Sequence, residues 1–232
     1  MGNTILVTGA SSGLGRALVE ALSEDGAEII AVARPSETLE ALKALKGVQI
    51  APLDLGQPEG FAAWAEAVAQ FGPFAGVIHN AGIQIDKPLE ESTDAEIAQE
   101  LTVNLMAPIL LTRLLLPNMA ADGHIVMVGS VLGYVPKRVS AVYSASKAGL
   151  RLFAAGLRLQ HPALCIQDVM VPVLDTPMTA HRKEKKANPA TAARAILKGM
   201  QNRQPQIWIG QTKIIRVLLR LAPKLAARTL AR

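Results

Sequence analysis

The chain has 232 residues, 50% hydrophobic and 19% charged, enough to bury a substantial core in one ordinary domain and too apolar for a disordered chain. A single cysteine excludes an internal disulfide framework, and four scattered histidines without partners at ligand spacing argue against a zinc site, so no metal is expected. The net charge of +5 divides unevenly: residues 1–181 hold 11 basic and 18 acidic side chains, a balance of −7, whereas residues 182–232 hold 13 and 1, a balance of +12.

The first ten residues, MGNTILVTGA, lack the basic and long apolar regions of a secretory signal and read as a strand. No uninterrupted apolar run reaches about 18 residues, so no spanning helix is expected. Along the chain, the runs TILVT, EIIAVA, VQIAPL, GVIH, HIVMVG and CIQDVMV are short, mostly uncharged and rich in Val and Ile, as strands covered on both faces should be. Between them, segments such as LGRALVEALSEDG, TLEALKALKG and FAAWAEAVAQFG repeat apolar residues at three and four, the helical spacing. Gly26, Gly47, Gly72 and Gly123 fall where helices should stop and are expected to be left-handed C-terminal caps.

This alternation predicts an α/β fold, a doubly wound parallel sheet with helices on both faces, closed by a seventh short strand QIWIG at 206–210. One domain is expected over residues 1–211, with a charged, proline-bounded lid at 176–189 near the carboxyl edge of the sheet. Residues 212–232 are expected to form a separate basic amphipathic helix, interrupted at Pro223.

The first strand runs directly into TGASSGLG, with Gly9, Gly13 and Gly15 at the turn and RALVEAL opening the helix. Glycines let the backbone turn tightly and approach a pyrophosphate, and the helix N-terminus offers unpaired N–H groups and a positive dipole end. The spacing G-x-x-x-G-x-G differs from the G-x-G-x-x-G fingerprint and is by itself a weak signal.

With the NAG at Asn80–Gly82, Asn104, Ser130 and YSASK at 143–147 following in order, the chain resembles the short-chain dehydrogenase/reductase family, in its compact single-domain branch, over about residues 3–210. The resemblance implies a Rossmann-like domain and a nicotinamide cofactor held by Gly9, Ser11, Ser12, Gly13, Leu14 and Gly15. It also places Asp54 and Leu55 near the adenine, Asn80, Ala81 and Gly82 beside the cofactor, and Pro172 and Thr176 at the nicotinamide.

Cofactor choice turns on the end of the second strand, where an acid suits the ribose of NAD and a cation suits the 2′-phosphate of NADP. Arg34 stands there and can present a planar fork to a phosphate, which favours NADP(H). Glu37 lies close enough in sequence to serve as a ribose ligand instead, and Ser12 occupies a loop position where many NADP-using relatives carry a second base, so NAD(H) stays open.

Reduction of a carbonyl leaves an alkoxide that needs a proton donor. Tyr143 is the candidate, with Lys147 four residues on and therefore on the same helix face, expected to lower the phenol pKa. Ser130, at a strand end, can hydrogen-bond the developing oxyanion. By resemblance, Lys147 also holds the nicotinamide ribose and Asn104, expected at the start of an apolar helix, supports a water-linked proton path. His79 and Cys165 are expected to be packing residues.

The substrate walls are expected from Val131, Leu132, Tyr134 and Val135 on one side and Val173, Leu174 and Met178 on the other, which suits a lipophilic ketone or aldehyde. Ser130, Leu132, Val135, Tyr143, Val173 and Met178 are thus the predicted substrate residues. Val173 replaces the glycine that often follows this proline in the family. Lys213, Arg216, Arg220, Lys224, Arg228 and Arg232 recur through the apolar tail. That pattern fits either a peripheral membrane contact or packing on the subunit or a dimer mate. The expected protein is a cytoplasmic or membrane-associated homodimer or homotetramer that binds no nucleic acid and acts on a small carbonyl or alcohol. The alternative is a nucleotide-sensing or interaction protein that kept the fold without turnover.

Overall fold

A computed structural model describes residues 4–225. In chain order the elements are β1 (Thr4–Thr8), α1 (Gly13–Glu24), β2 (Glu28–Val32), α2 (Glu37–Glu40), β3 (Val48–Ile50), α3 (Phe61–Val68), β4 (Phe74–His79) and α4 (Asp94–Leu101). A π-helical turn at Thr102–Met106 leads into α5 (Ala107–Leu115), followed by β5 (Met119–Ser130), α6 (Ala141–Gln160), β6 (Cys165–Val171), α7 (Pro189–Gln201), β7 (Gln206–Trp208) and α8 (Thr212–Leu221).

The seven strands form one sheet in the order β3-β2-β1-β4-β5-β6-β7, with every adjacent pair parallel. Strand side chains alternate between two apolar layers. Val7, Ile29, Ala31 and Ile78 join Leu18 of α1 and Ile196 of α7 on one face. Leu6, Ile30, Val32 and Val77 join Phe61 of α3 and Leu111 of α5 on the other, where Leu150 and Leu157 of α6 extend the cover over β5 and β6. Leu6, Leu18, Ile78 and Leu111 are fully buried, and each such side chain contributes about 1.5–3 kcal/mol. Chain order reverses between β1 and β4, the crevice where such sheets bind ligands.

Several boundaries differ from the sequence reading. Gly26 and Gly47 have the expected positive φ, at 77° and 73°. Gly72 does not, with φ −76°. Gly123 lies inside β5, which begins five residues before the predicted HIVMVG run. It sits where the β4 register shifts, and a Cβ there would lie 3.0 Å from the Ala120 carbonyl and 3.2 Å from that of Phe74. Close backbone approach, rather than a helix cap, calls for this glycine. Asn104 occupies the π turn in the middle of a continuous helical run, not the start of a helix. That run, Asp94–Asn118, is long and apolar enough to cross a membrane, contrary to the expectation of none, but it lays Val103, Ala107, Leu111 and Leu115 into the sheet core.

His79, 2% exposed at the end of β4, shares a hydrogen bond of 2.9 Å with the Thr112 hydroxyl of α5. Burial lowers its pKa from 6.5 to about 3. The unfolded chain therefore takes up a proton below about pH 6.5 that the fold excludes, and the stability linked to His79 is lost as pH falls toward 3, by at most about 1.4 kcal/mol per pH unit. Asp168, raised from 3.8 to about 6, has the opposite sign, its contribution being lost as pH rises through 6. Urea unfolding of the native chain and a His79→Asn variant at pH 7, 6 and 5 separates the two. The stability difference between the proteins should move in the variant's favour as pH falls; a constant difference would show that the imidazole charges within the fold.

Candidate active site

A cleft of about 1180 Å³ opens along the carboxyl edge of the sheet, from the end of β2 to the segment after β6. Its floor begins at the β1–α1 turn. Gly9 and Gly13 have φ of 68° and 53°, a region L side chains rarely adopt. Gly15 is required for a different reason: a Cβ there would lie 2.0 Å from the Gly9 carbonyl oxygen, so α1 can sit on the turn only without one. No acid stands in the first turn of α1 and no side chain caps it, which leaves its N–H groups and dipole for an anion.

Asn80 closes the turn from the β4 side. Its side-chain amide donates to the Thr8 carbonyl at 2.9 Å, while the Thr8 hydroxyl accepts from the Asn80 and Ala81 N–H groups at 3.0 and 3.1 Å. Ser11, Ser12, Gly13, Leu14, Arg34, Asp54, Leu55, Ala81 and Gly82 all line the cleft with Gly9 and Asn80. Gly15 lies beneath it. Glu37, the rival ribose ligand, is not in the wall, because Ser36 caps α2 by accepting from the Leu39 N–H and Glu37 falls in that helix's first turn. The wall there is Ala33, Arg34, Pro35, Ser36 and Thr38.

Beyond this end, Ser130, Tyr143 and Lys147 come together. Tyr143 is 8% and Lys147 4% exposed. The Lys147 ammonium donates to the Val128 carbonyl at 3.0 Å and lies 5.7 Å from the Tyr143 ring centroid. Burial lowers the Lys147 pKa from 10.5 to about 8, against the pull of the Asp168 and Glu100 carboxylates. Burial pushes the Tyr143 phenol up to about 12, opposed by the Ser130 hydrogen bond and then by the Arg182 charge. The expectation that Lys147 lowers the phenol pKa is thus corrected. Loss of solvent outweighs the neighbouring charges, and Ser130 and Arg182 are the groups that pull it back.

Asn104, fully buried behind the cleft, is held at every polar atom. Its oxygen accepts from the Ile83 N–H at 2.8 Å, and its nitrogen donates to the Ile83 carbonyl at 2.8 Å and the Ser146 hydroxyl at 3.2 Å. A π turn is a common device for aiming a side chain at a functional site. A Cβ on Gly82 would lie 3.1 Å from the Asn104 oxygen and 3.4 Å from the Lys147 ammonium, so glycine is what lets these two groups face that loop.

On the substrate side, Ser130, Val131, Leu132, Pro172, Val173, Leu174, Thr176 and Met178 line the cleft. Val135 and Tyr134 do not. Val135 is 3% exposed, and Tyr134 turns to Trp208, with ring centroids 5.2 Å apart, and accepts from the Gln206 amide at 3.1 Å. The 176–189 segment is tied at both ends. Its Ala187 N–H donates to the Val173 carbonyl at 2.8 Å, and its Thr179 hydroxyl donates to the Leu174 carbonyl.

Motif spacing pointed neither to the Asp86–Arg182 pair beside Tyr143 nor to Asp168 near Lys147. Arg182, with a side chain 10% exposed, donates to Asp86 across the cleft at 2.7 Å. Asp86 also accepts from the Gln84 amide at 2.9 Å and from the hydroxyl of Ser140, the N-cap of α6. The Ser140 hydrogen bond and Arg182 hold its carboxyl below the usual range despite partial burial. Asp168, fully buried on β6, has both carboxylate oxygens without a hydrogen bond among the described residues, and burial raises its pKa to about 6 against Arg158, Arg151 and Lys147. The one signal for it was an acid inside the otherwise apolar CIQDVMV.

The donors and contours fit a nicotinamide dinucleotide: two left-handed glycines, an uncapped helix N-terminus, a cation at the β2 end and a buried ammonium. Comparison with known proteins agrees. Residues 3–187 match the family described as short chain dehydrogenase. Ketoacyl reductase HetN of Nostoc sp. is 32% identical over 237 residues, covering 95% of this chain and 83% of the relative. A short chain dehydrogenase from Burkholderia cenocepacia, solved in complex with NADP, is 28% identical with a TM-score of 0.87 and covers 100% of this chain and 98% of its own. One from Burkholderia phymatum, solved in complex with NAD, shares the fold at 21% identity and a TM-score of 0.85, covering 96% and 93%. The chain therefore belongs to the short-chain dehydrogenase/reductase family, as a nicotinamide-dependent oxidoreductase.

Proposed function

We propose that the protein is an NADPH-preferring carbonyl reductase acting on a lipophilic ketone or aldehyde. The observation that carries this reading is the convergence of Ser130, Tyr143 and Lys147 in a cleft with apolar walls whose nucleotide end presents Arg34 and no strand-end acid. The α1 N-terminus, Asn80 and Lys147 would hold the cofactor, which when bound supplies the hydride. With its pKa pushed up, Tyr143 stays protonated through the neutral range and is poised to give its proton to the carbonyl oxygen. Ser130 accepts from the Leu132 N–H at 3.1 Å, which leaves its proton for the phenol or the substrate oxygen. Lys147 has two N–H donors beyond the one on Val128 for ribose hydroxyls. The name of the Nostoc relative and the presence of Arg182 in the wall favour, within this class, substrates with a second carbonyl such as 3-oxoacyl compounds. Exposed Leu152 and Leu159 on α6, 61% and 86% accessible, support a second copy of the chain as partner. A nucleotide-sensing role without turnover is the rival reading.

Three measurements test this. With a panel of simple lipophilic, lipophilic 3-oxoacyl and hydrophilic carbonyls, turnover should be greatest on the lipophilic members, 3-oxoacyl compounds first among them, and Tyr143→Phe should lower kcat by about 10²–10⁴-fold. Full activity in the variant would refute the mechanism, and no turnover by the native enzyme on any carbonyl would favour the sensing role. Arg34→Ala should lower kcat/KM for NADPH about tenfold to a hundredfold through loss of a charged hydrogen bond while leaving NADH nearly unchanged. Equal effects on both cofactors would remove Arg34 from the 2′-phosphate. Finally, kcat/KM for NADPH, which reports the free enzyme, should fall as pH rises through about 8 and the Lys147 ammonium is lost. Asp168→Asn removes the carboxylate that holds this charge and should move the limb to lower pH; an unmoved limb would separate Asp168 from Lys147.

A further inference from the structure

We propose that α8 seats the enzyme on an anionic lipid bilayer, with the substrate end of the cleft beside the membrane. Three faces of the helix differ in their surroundings. Ile215, Leu218 and Leu219 are half-buried along one face. Ile214, Val217 and Leu221, recurring at three and four, stand 65%, 53% and 81% exposed as one apolar stripe. Lys213, Arg216 and Arg220 are exposed beside that stripe, and Arg216 caps the Trp208 ring at 5.8 Å. A stripe of branched apolar side chains flanked by bases matches the boundary between acyl chains and acidic headgroups.

Charge selects this occupant over the α8 of a second copy. No acid occurs between Gln211 and Arg232. A symmetric pairing of α8 with itself would set base against base, with no carboxylate from either helix to answer them. An anionic bilayer supplies the missing charge and covers the apolar stripe together.

The root of the helix gives this contact a position relative to the cleft. Thr212, 1% exposed, donates to the carbonyls of Met170 on β6 and Ile209, at 3.2 and 2.9 Å. Gly210 turns the chain with φ 55°, close enough that a Cβ there would lie 3.9 Å from the Pro172 ring. Pro172 and Val173 begin the substrate wall, where Met178 is 41% exposed. A bilayer under α8 therefore lies next to the apolar end of the cleft, a short path for a lipophilic substrate dissolved in it.

Flotation of the full chain with vesicles tests the contact without using turnover, so its outcome is independent of the reductase reading. With vesicles of equal phosphatidylglycerol and phosphatidylcholine, the native protein should float, and at least about tenfold less should float with phosphatidylcholine alone or in 1 M salt, where the screening length is only about 3 Å. A variant with Ile214→Ser, Val217→Ser and Leu221→Ser, and a second with Lys213→Glu and Arg220→Glu, should each lose about tenfold or more of this binding. Both should keep the native melting temperature, since all five positions are exposed. Native protein that stays with the soluble fraction, or variants that float as well as it does, would overturn the proposal. So would light scattering in which the serine variant dissociates a dimer while neither protein floats, because α8 would then be a protein interface.

Discussion

One hydrogen bond ties the chemistry to the fold: the buried ammonium of Lys147 on the Val128 carbonyl. It fixes α6 to β5 at the point where that strand is about to deliver Ser130, and Tyr143 lies one turn back on the same helix. This contact joins helix, strand end and acid, beside the packing of Leu150 and Leu157 against β5 and β6. The cost of burying an ammonium explains what gathers around it. Asp168 and Glu100 supply opposite charge, and Gly82 keeps the loop after β4 free of a side chain that would reach the ammonium.

The same burial gives the site two groups shifted in opposite senses. Tyr143 is pushed toward its neutral acid form and Lys147 toward its neutral base form, both by loss of solvent. The phenol holds its proton tightly while Ser130 and Arg182 temper that hold. Environments that drive neighbouring titratable groups away from their ordinary values mark a working site more reliably than any one residue type. Asp168, with both oxygens unpaired among the described residues, belongs to this balance and not to the apolar core in which its strand is otherwise embedded.

What could be read from the chain follows from range. The strand pattern, the glycine turn and the Tyr143–Lys147 spacing are local, so periodicity and helix geometry expose them directly. Gly123 misled because glycine answers two needs, a left-handed cap and a close backbone approach, and only the shifted pairing with β4 shows which applies. Val135 misled because a residue following a strand end faces either the cleft or the core, and the 3₁₀ turn at Val131–Gly133 directs it inward. The Asp86–Arg182 pair joins residues 96 apart with no motif at either end, and only the assembled fold brings them together.

Asp86 has one further consequence. It accepts from Arg182 in the segment over the substrate end, from Gln84 in the loop after β4 and from Ser140 at the cap of the helix that carries Tyr143. A single carboxylate thus joins the 176–189 segment and the loop after β4 to the cap of α6, with Ser140 only three residues from the Tyr143 phenol. In many enzymes a surface loop can drift in sequence without disturbing the chemistry beneath it. Here, the covering segment reaches the cap of the Tyr143 helix through one shared carboxylate, and both Arg182 and Asp86 bear on the phenol's charge balance.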